Sequence, residues 1–129
     1  MSQVITILKD QECAFAVKSG GHGMNRGASN IEDGVLIDLG RMNKLDVSED
    51  EATVSIGTGA RWGDVYLALQ ERGLVVVGGR VASVGVGGLI LGGTLIHGHD
   101  RQKLKLCKAE YHFTPTFMGW LVITYATSR

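Results

Sequence analysis

Glycine placement limits this chain more than any other feature. The 129-residue sequence holds 19 glycines and one proline, and that glycine content is roughly twice average usage. The glycines are not periodic, which excludes a collagen-like triple helix. They gather at the ends of apolar, β-rich runs, where glycine permits a positive φ or the close approach of a ligand. Two segments stand out, Ser19–Gly23 and Val84–Gly93. The length allows one domain at most. Such a domain buries roughly two-thirds of its unfolded surface, enough for a hydrophobic core.

Periodicity supplies the elements between the glycines. Val4, Ile5 and Leu8 predict a short amphipathic helix over Ser2–Gln11, with Ser2 as a possible N-cap. Ala14–Val17 is a short apolar run and predicts a buried strand, followed by the polar glycine loop Ser19–Asn30. Val35–Leu39 predicts a second strand. Asn43–Glu51 contains a turn with Leu45 and Val47 facing one side, and the alternating Ala52–Ile56 predicts a third strand. Trp62, Val65, Tyr66 and Leu69 recur at helical spacing in Arg61–Arg72, with Gly73 placed to end that helix. Leu74–Val77 predicts a fourth strand. Beyond Gly93 the character changes. Thr94–Lys108 is polar and basic with a His-Gly-His run, and Glu110–Arg129 shows no clear periodicity.

Composition removes several function classes. Lys plus Arg and Asp plus Glu number 13 each, so net charge is near zero. Nucleic acid and anionic membrane surfaces both require a clustered basic face, so neither is expected as a partner. Two tryptophans, three tyrosines and three phenylalanines are too few for an obvious base-stacking platform. The first residues lack a basic region followed by a long apolar run, so no secretory signal is read there, and localisation stays open. Phe117–Ala126 is apolar but too short to span a bilayer. Cys13 and Cys107 are the only cysteines and make no disulfide framework. Cys13, in a mixed apolar stretch, is expected to be a small buried hydrophobe.

Several sites can be weighed. Gly57-Thr-Gly59-Ala-Arg-Trp-Gly63 follows a strand and opens a helix, as a dinucleotide fingerprint does. Its spacing is one residue longer than the common form, and Val75–Ser83 holds no acid to grip a ribose. A tight strand-to-helix turn with Trp62 packed inside accounts for it better. No Lys-Ser or Lys-Thr pair follows a glycine run as a P-loop requires. His97, His99, Cys107 and His112 match no strong zinc spacing, so no metal is expected. Asp64 and Glu71 are helix-face charges, and no nucleophile, base or acid can be assigned.

The two glycine segments carry more. Lys18-Ser-Gly-Gly-His22-Gly directly follows a strand, and successive glycines let backbone N–H groups converge on phosphate oxygens. Val84-Gly-Val-Gly-Gly-Leu-Ile-Leu-Gly92-Gly93 is apolar, with glycine wherever bulk would intrude on a large flat ligand. Two such loops could clamp a pyrophosphate. Each could equally be a set of ordinary turns.

Four stretches then occur in one order: Phe15-Ala-Val-Lys-Ser-Gly-Gly-His22, Gly34-Val-Leu-Ile-Asp-Leu39, Gly59-Ala-Arg-Trp-Gly-Asp-Val65 and Gly78-Gly-Arg-Val-Ala-Ser-Val-Gly-Val-Gly-Gly-Leu-Ile-Leu-Gly-Gly93. This series, covering Ser2 to Gly93, resembles the FAD-binding domain of the vanillyl-alcohol-oxidase and p-cresol-methylhydroxylase superfamily. It is most similar to the berberine-bridge-enzyme-like oxidases. The resemblance implies an α+β fold: the N-terminal α/β portion of a p-cresol-methylhydroxylase-type FAD-binding domain, incomplete. It would occupy residues 1–93 and leave 94–129 as a divergent tail of uncertain fold.

The resemblance also implies an FAD-linked oxidoreductase that abstracts hydride from a small organic substrate and passes electrons to oxygen. FAD would be held by Lys18, Ser19, Gly20, Gly21, His22 and Gly23 in the first segment. Ser83, Val84, Gly85, Gly87, Gly88 and Gly92 would hold it in the second. His22 matches the histidine joined covalently to the flavin 8α-methyl carbon. Some relatives add a cysteinyl link three residues before the Val-Gly-Val-Gly-Gly run. Val81 stands there, so a double link is not expected.

The family pattern stops at Thr94, and Met1 enters what resembles the helix after the family's first strand. The chain is therefore expected to be a truncated member, inactive alone for want of a substrate domain. Two other readings stay open. One is a non-catalytic remnant with weak or no flavin binding. The other is a nucleotide-binding or interaction module built on the Gly57–Gly63 turn.

Overall fold

A computed structural model describes residues 2–92, 108–113 and 120–126. For the last two segments it describes the backbone only. Helix α1 (Ser2–Asp10) leads into strand β1 (Phe15–Lys18). After the glycine loop come β2 (Val35–Asp38), β3 (Leu45–Val47) and β4 (Thr53–Gly57). Helix α2 (Trp62–Gln70) and the short helix α3 (Val86–Leu91) follow, then β5 (Lys108–Phe113) and β6 (Trp120–Ala126).

These elements make two sheets. β1 and β2 pair in parallel, Phe15 opposite Val35 and Lys18 opposite Asp38. The second sheet has the order β3-β4-β6-β5. Its pairs are antiparallel, with Leu45 opposite Ile56 and Thr53 opposite Thr124. A parallel pair needs a long crossover connection. Here residues 19–34 provide it, so the first glycine loop sits at the carboxyl end of β1. Ligands in open α/β sheets lie at that end of the strands.

The core lies where β4 meets α2. Val54 and Ile56 from β4, with Trp62, Val65 and Leu69 from α2, are essentially solvent-free. Ala60, Val76 and Val86 complete the cluster. The 3.6-residue spacing of Trp62, Val65 and Leu69 puts all three on one helix face. The Trp62 and Tyr66 rings lie 5.8 Å apart, and the Tyr66 hydroxyl donates to the Gly79 carbonyl at 2.8 Å. Burial raises the Tyr66 pKa above its ordinary 10.0. Gly73 ends the helix turn with φ +68°, as its position implied.

Three expectations are corrected. Leu74–Val77 forms no strand. Leu74 N–H instead bonds the Leu69 carbonyl at 3.0 Å, and Val76 inserts into the core. An apolar run of four fills a core as readily as it joins a sheet, and periodicity alone does not distinguish the two. Strand β1 is not buried, since Phe15 is 38% and Val17 44% exposed. The two-stranded sheet leaves both faces of β1 half-exposed along its length. Cys13 is exposed rather than buried. It lies in the turn leaving α1, next to Glu12, whose φ is +51°, and turns run over the surface.

Trp62 fills the centre of this packing. Trp62→Ala is expected to cost about 3–5 kcal/mol, the usual toll for removing a buried large aromatic. Urea unfolding of the variant checks it, and a loss below about 1 kcal/mol would place the core elsewhere.

Candidate functional site

The link from β4 to α2 together with the start of that helix, residues 58–63, organises the site. It runs antiparallel to residues 82–87 through a ladder of backbone bonds. Trp62 N–H donates to the Val84 carbonyl at 3.1 Å, Gly63 N–H to Ala82 at 2.9 Å, Val86 N–H to Ala60 at 2.9 Å and Gly87 N–H to Thr58 at 3.1 Å. The same Thr58 carbonyl also accepts the Ser19 hydroxyl at 2.6 Å. Arg61 adds a side-chain tie: Nη1 donates to the Ser83 carbonyl and to the Gly20 carbonyl, the latter at 3.5 Å. Both glycine segments are therefore fastened to one short stretch of chain.

The glycines allow the two segments to touch. A Cβ on Gly20 would lie 2.3 Å from the Gly85 nitrogen, and one on Gly85 2.2 Å from the Gly20 nitrogen. Real side chains do not approach backbone so closely, so neither position accepts one without displacement. The segments thus abut at Gly20 and Gly85, and a space lined by residues of both segments opens beside that contact. It is a cleft of about 420 Å³ that includes Ser19, His22, Gly23, Val84 and Gly88 in its lining. A Cβ at Gly88 would meet open space.

Two features of this cleft bear on chemistry. Among the described residues, no hydrogen bond uses the backbone N–H of Gly20, Gly21, His22 or Gly23. Gly21, at φ +71°, turns the loop. Successive unpaired N–H groups in such a turn form an anion-binding concavity. At the rim, His22 Nε2 and Ser83 Oγ share a hydrogen bond of 2.8 Å across the two segments.

A second cleft, about 500 Å³, lies on the other side of the same loop and is polar, with Lys18, Asp38, Asn43, Arg61 and Asp64 in its lining. Lys18 Nζ pairs with Asp38 Oδ2 at 2.7 Å. The Lys18 hydrogen bond, and then the Gly40 N–H, lower the Asp38 pKa below its ordinary 3.8.

Of the candidate residues, the first cleft gathers Ser19, Gly20, Gly21, His22, Gly23, Val84, Gly85 and Gly88. Ser83 joins through His22. Lys18 faces the second cleft. Gly87 is buried against Thr58, and Gly92 caps α3. Gly78 and Gly79, in the same glycine-rich run, pack on the Trp62 ring. The glycines of the Gly57–Gly63 turn are close-packed, a Cβ on Gly59 lying 1.7 Å from the Leu39 carbonyl and one on Gly57 2.1 Å from the Met42 carbonyl, while Gly59 and Arg61 also line the second cleft. His97, His99 and Cys107 lie outside the described residues. Two contributors carried little sequence signal. Arg61 and Thr58 could be found only from their place beside a strand-to-helix turn, since each acts through backbone carbonyls.

A family profile described as "FAD binding domain" matches residues 1–108. The chain is 44% identical over 97 residues to the FAD-dependent monooxygenase tpcD of Cochliobolus heterostrophus, covering 75% of this chain and 19% of that protein. Among solved structures, 6-hydroxy-D-nicotine oxidase from Arthrobacter nicotinovorans superposes with a TM-score of 0.61 at 29% identity, over 66% of this chain and 18% of that one. Glucooligosaccharide oxidase from Acremonium strictum gives 0.57 at 34% identity, over 67% and 18%. In that oxidase the 6-S-cysteinyl, 8α-N1-histidyl FAD has functional roles. The chain thus spans about a fifth of the length of the relatives it matches.

Two predictions follow the geometry. Gly20→Ala drives a methyl group into the Gly85 backbone and is expected to lower the melting temperature by about 4–8 °C per kcal/mol lost. Gly88→Ala should leave it unchanged or raised, and equal effects in calorimetry would refute the close contact. For Asp38, the folded pKa lies below the unfolded value. The stability it contributes is present above pH 3.8 and lost as pH falls through the lower folded value. Lys18→Met is expected to raise the Asp38 midpoint in an NMR titration, and an unmoved midpoint would assign the shift to Gly40.

Proposed function

Because this chain belongs to the FAD binding domain family, whose cofactor is FAD, we propose that the first cleft cradles FAD and that His22 anchors it covalently. The observation that supports this most is the run of N–H groups from Gly20 to Gly23 without a partner among the described residues, beside His22 at the rim of a cleft where Gly88 leaves room. Those N–H groups suit pyrophosphate oxygens. The abutting Gly20 and Gly85 hold the floor rigid, and Val84 and Leu89 offer an apolar wall.

When bound, FAD supplies two-electron oxidation. The chain's own part is to hold the cofactor, fix its position through the Thr58–Arg61 ties and exclude water from one side of it. A single covalent link fits, because Val81 occupies the position where a second, cysteinyl link would start. The reaction we infer is hydride abstraction from a small organic substrate with oxygen as acceptor, in the manner of berberine-bridge-enzyme-like oxidases. These 129 residues alone should turn over little. The described cleft has no candidate base besides His22, and positioning and solvent exclusion both need a second wall.

Purifying the chain with added FAD, denaturing it and weighing the product tests the reading. Flavin should stay attached in the parent chain and be absent in His22→Ala. Complete release of flavin from the denatured parent chain would sink the anchor.

A further inference from the structure

The His22–Ser83 hydrogen bond joins residues 61 positions apart and engages one particular ring nitrogen, Nε2. Nδ1 has no partner among the described residues. A neutral imidazole carries one proton, and the nitrogen without it holds the lone pair. The partner of one nitrogen therefore decides which form the other takes.

We propose that Ser83 is a positioning residue for cofactor attachment: its hydroxyl accepts the proton on Nε2 and leaves the Nδ1 lone pair as the nucleophile toward the flavin 8α carbon. This rests on the reading of His22 as the anchor. In the balanced step, the bond from Nδ1 to the methyl carbon forms. One hydrogen leaves that carbon and one leaves the imidazole. The electron pair and both protons pass to dioxygen, giving hydrogen peroxide and an oxidised, linked flavin. Ser83 is itself held, because its carbonyl accepts from Arg61, which also reaches Gly20 in the loop that carries His22. Ring orientation is thereby coupled to the contact between the two segments.

The test uses the full chain with FAD in air. It follows the appearance of protein-bound flavin by mass, then compares the histidyl flavin from exhaustive proteolysis with Nδ1-linked and Nε2-linked standards. The parent chain should give the Nδ1-linked product alone. Ser83→Ala should attach flavin about tenfold more slowly, the rate equivalent of one hydrogen bond, and give a mixture of linkages because Nε2 is freed. Ser83→Thr keeps the hydroxyl and should restore the parent rate and product. An Nε2-linked parent product would overturn the proposal, as would equal rates with one product in Ser83→Ala. Absence of linked flavin in the parent chain would instead overturn the anchor, and the role of Ser83 with it.

Discussion

Everything near the cleft depends on the backbone of residues 58–63. One edge of this stretch pairs with residues 82–87, while the Thr58 carbonyl and the Arg61 side chain reach the loop after β1. Its lower end is locked into the sheet, where Gly57 N–H donates to Lys44 and Gly59 N–H to Met42. Its upper end is Trp62, the first residue of α2 and the centre of the core. A loop that must hold several backbone groups unpaired cannot stabilise itself. Here it borrows rigidity from a ladder anchored in the best-packed part of the molecule.

That arrangement explains why so many glycines are needed and why they do different things. Gly20 and Gly85 let two backbones touch, and Gly59 lets the turn pass the Leu39 carbonyl. Gly78 and Gly79 make room for Trp62, whereas Gly88 faces space. A glycine-rich segment is thus mostly scaffold, and the cleft opens only where the neighbouring chain stops short.

Much of this was legible in the sequence. Trp62, Val65 and Leu69 repeat with the helical period, so α2 and its buried face followed directly. That a glycine-rich loop follows β1 was legible too, because the small residues Ser19, Gly20 and Gly21 end the apolar run. Leu74–Val77 was misread because an apolar tetrapeptide carries no period. Cys13 was misread because burial of one residue in a turn depends on what packs over it. The strands β5 and β6 showed no periodicity, yet β6 pairs along the whole of β4. Pairing partners lie far apart in the chain, and nothing local announces them.

The sequence by itself determined the family and the cofactor through the resemblance of four ordered stretches to a known FAD-binding domain, while the glycine loops alone left a phosphate cradle and ordinary turns equally open. It also singled out His22, the position that the resemblance matches to a flavin-linked histidine. Only the tertiary structure decided which glycines line the cleft and which are buried scaffold, since that depends on contacts between positions some sixty residues apart. The same folding turned Lys18 away toward Asp38, set Arg61 between the two segments and placed Ser83 on one nitrogen of His22. Motif spacing specifies which groups are available. Their directions are fixed only when β1, the 58–63 ladder and the second glycine segment pack into one body.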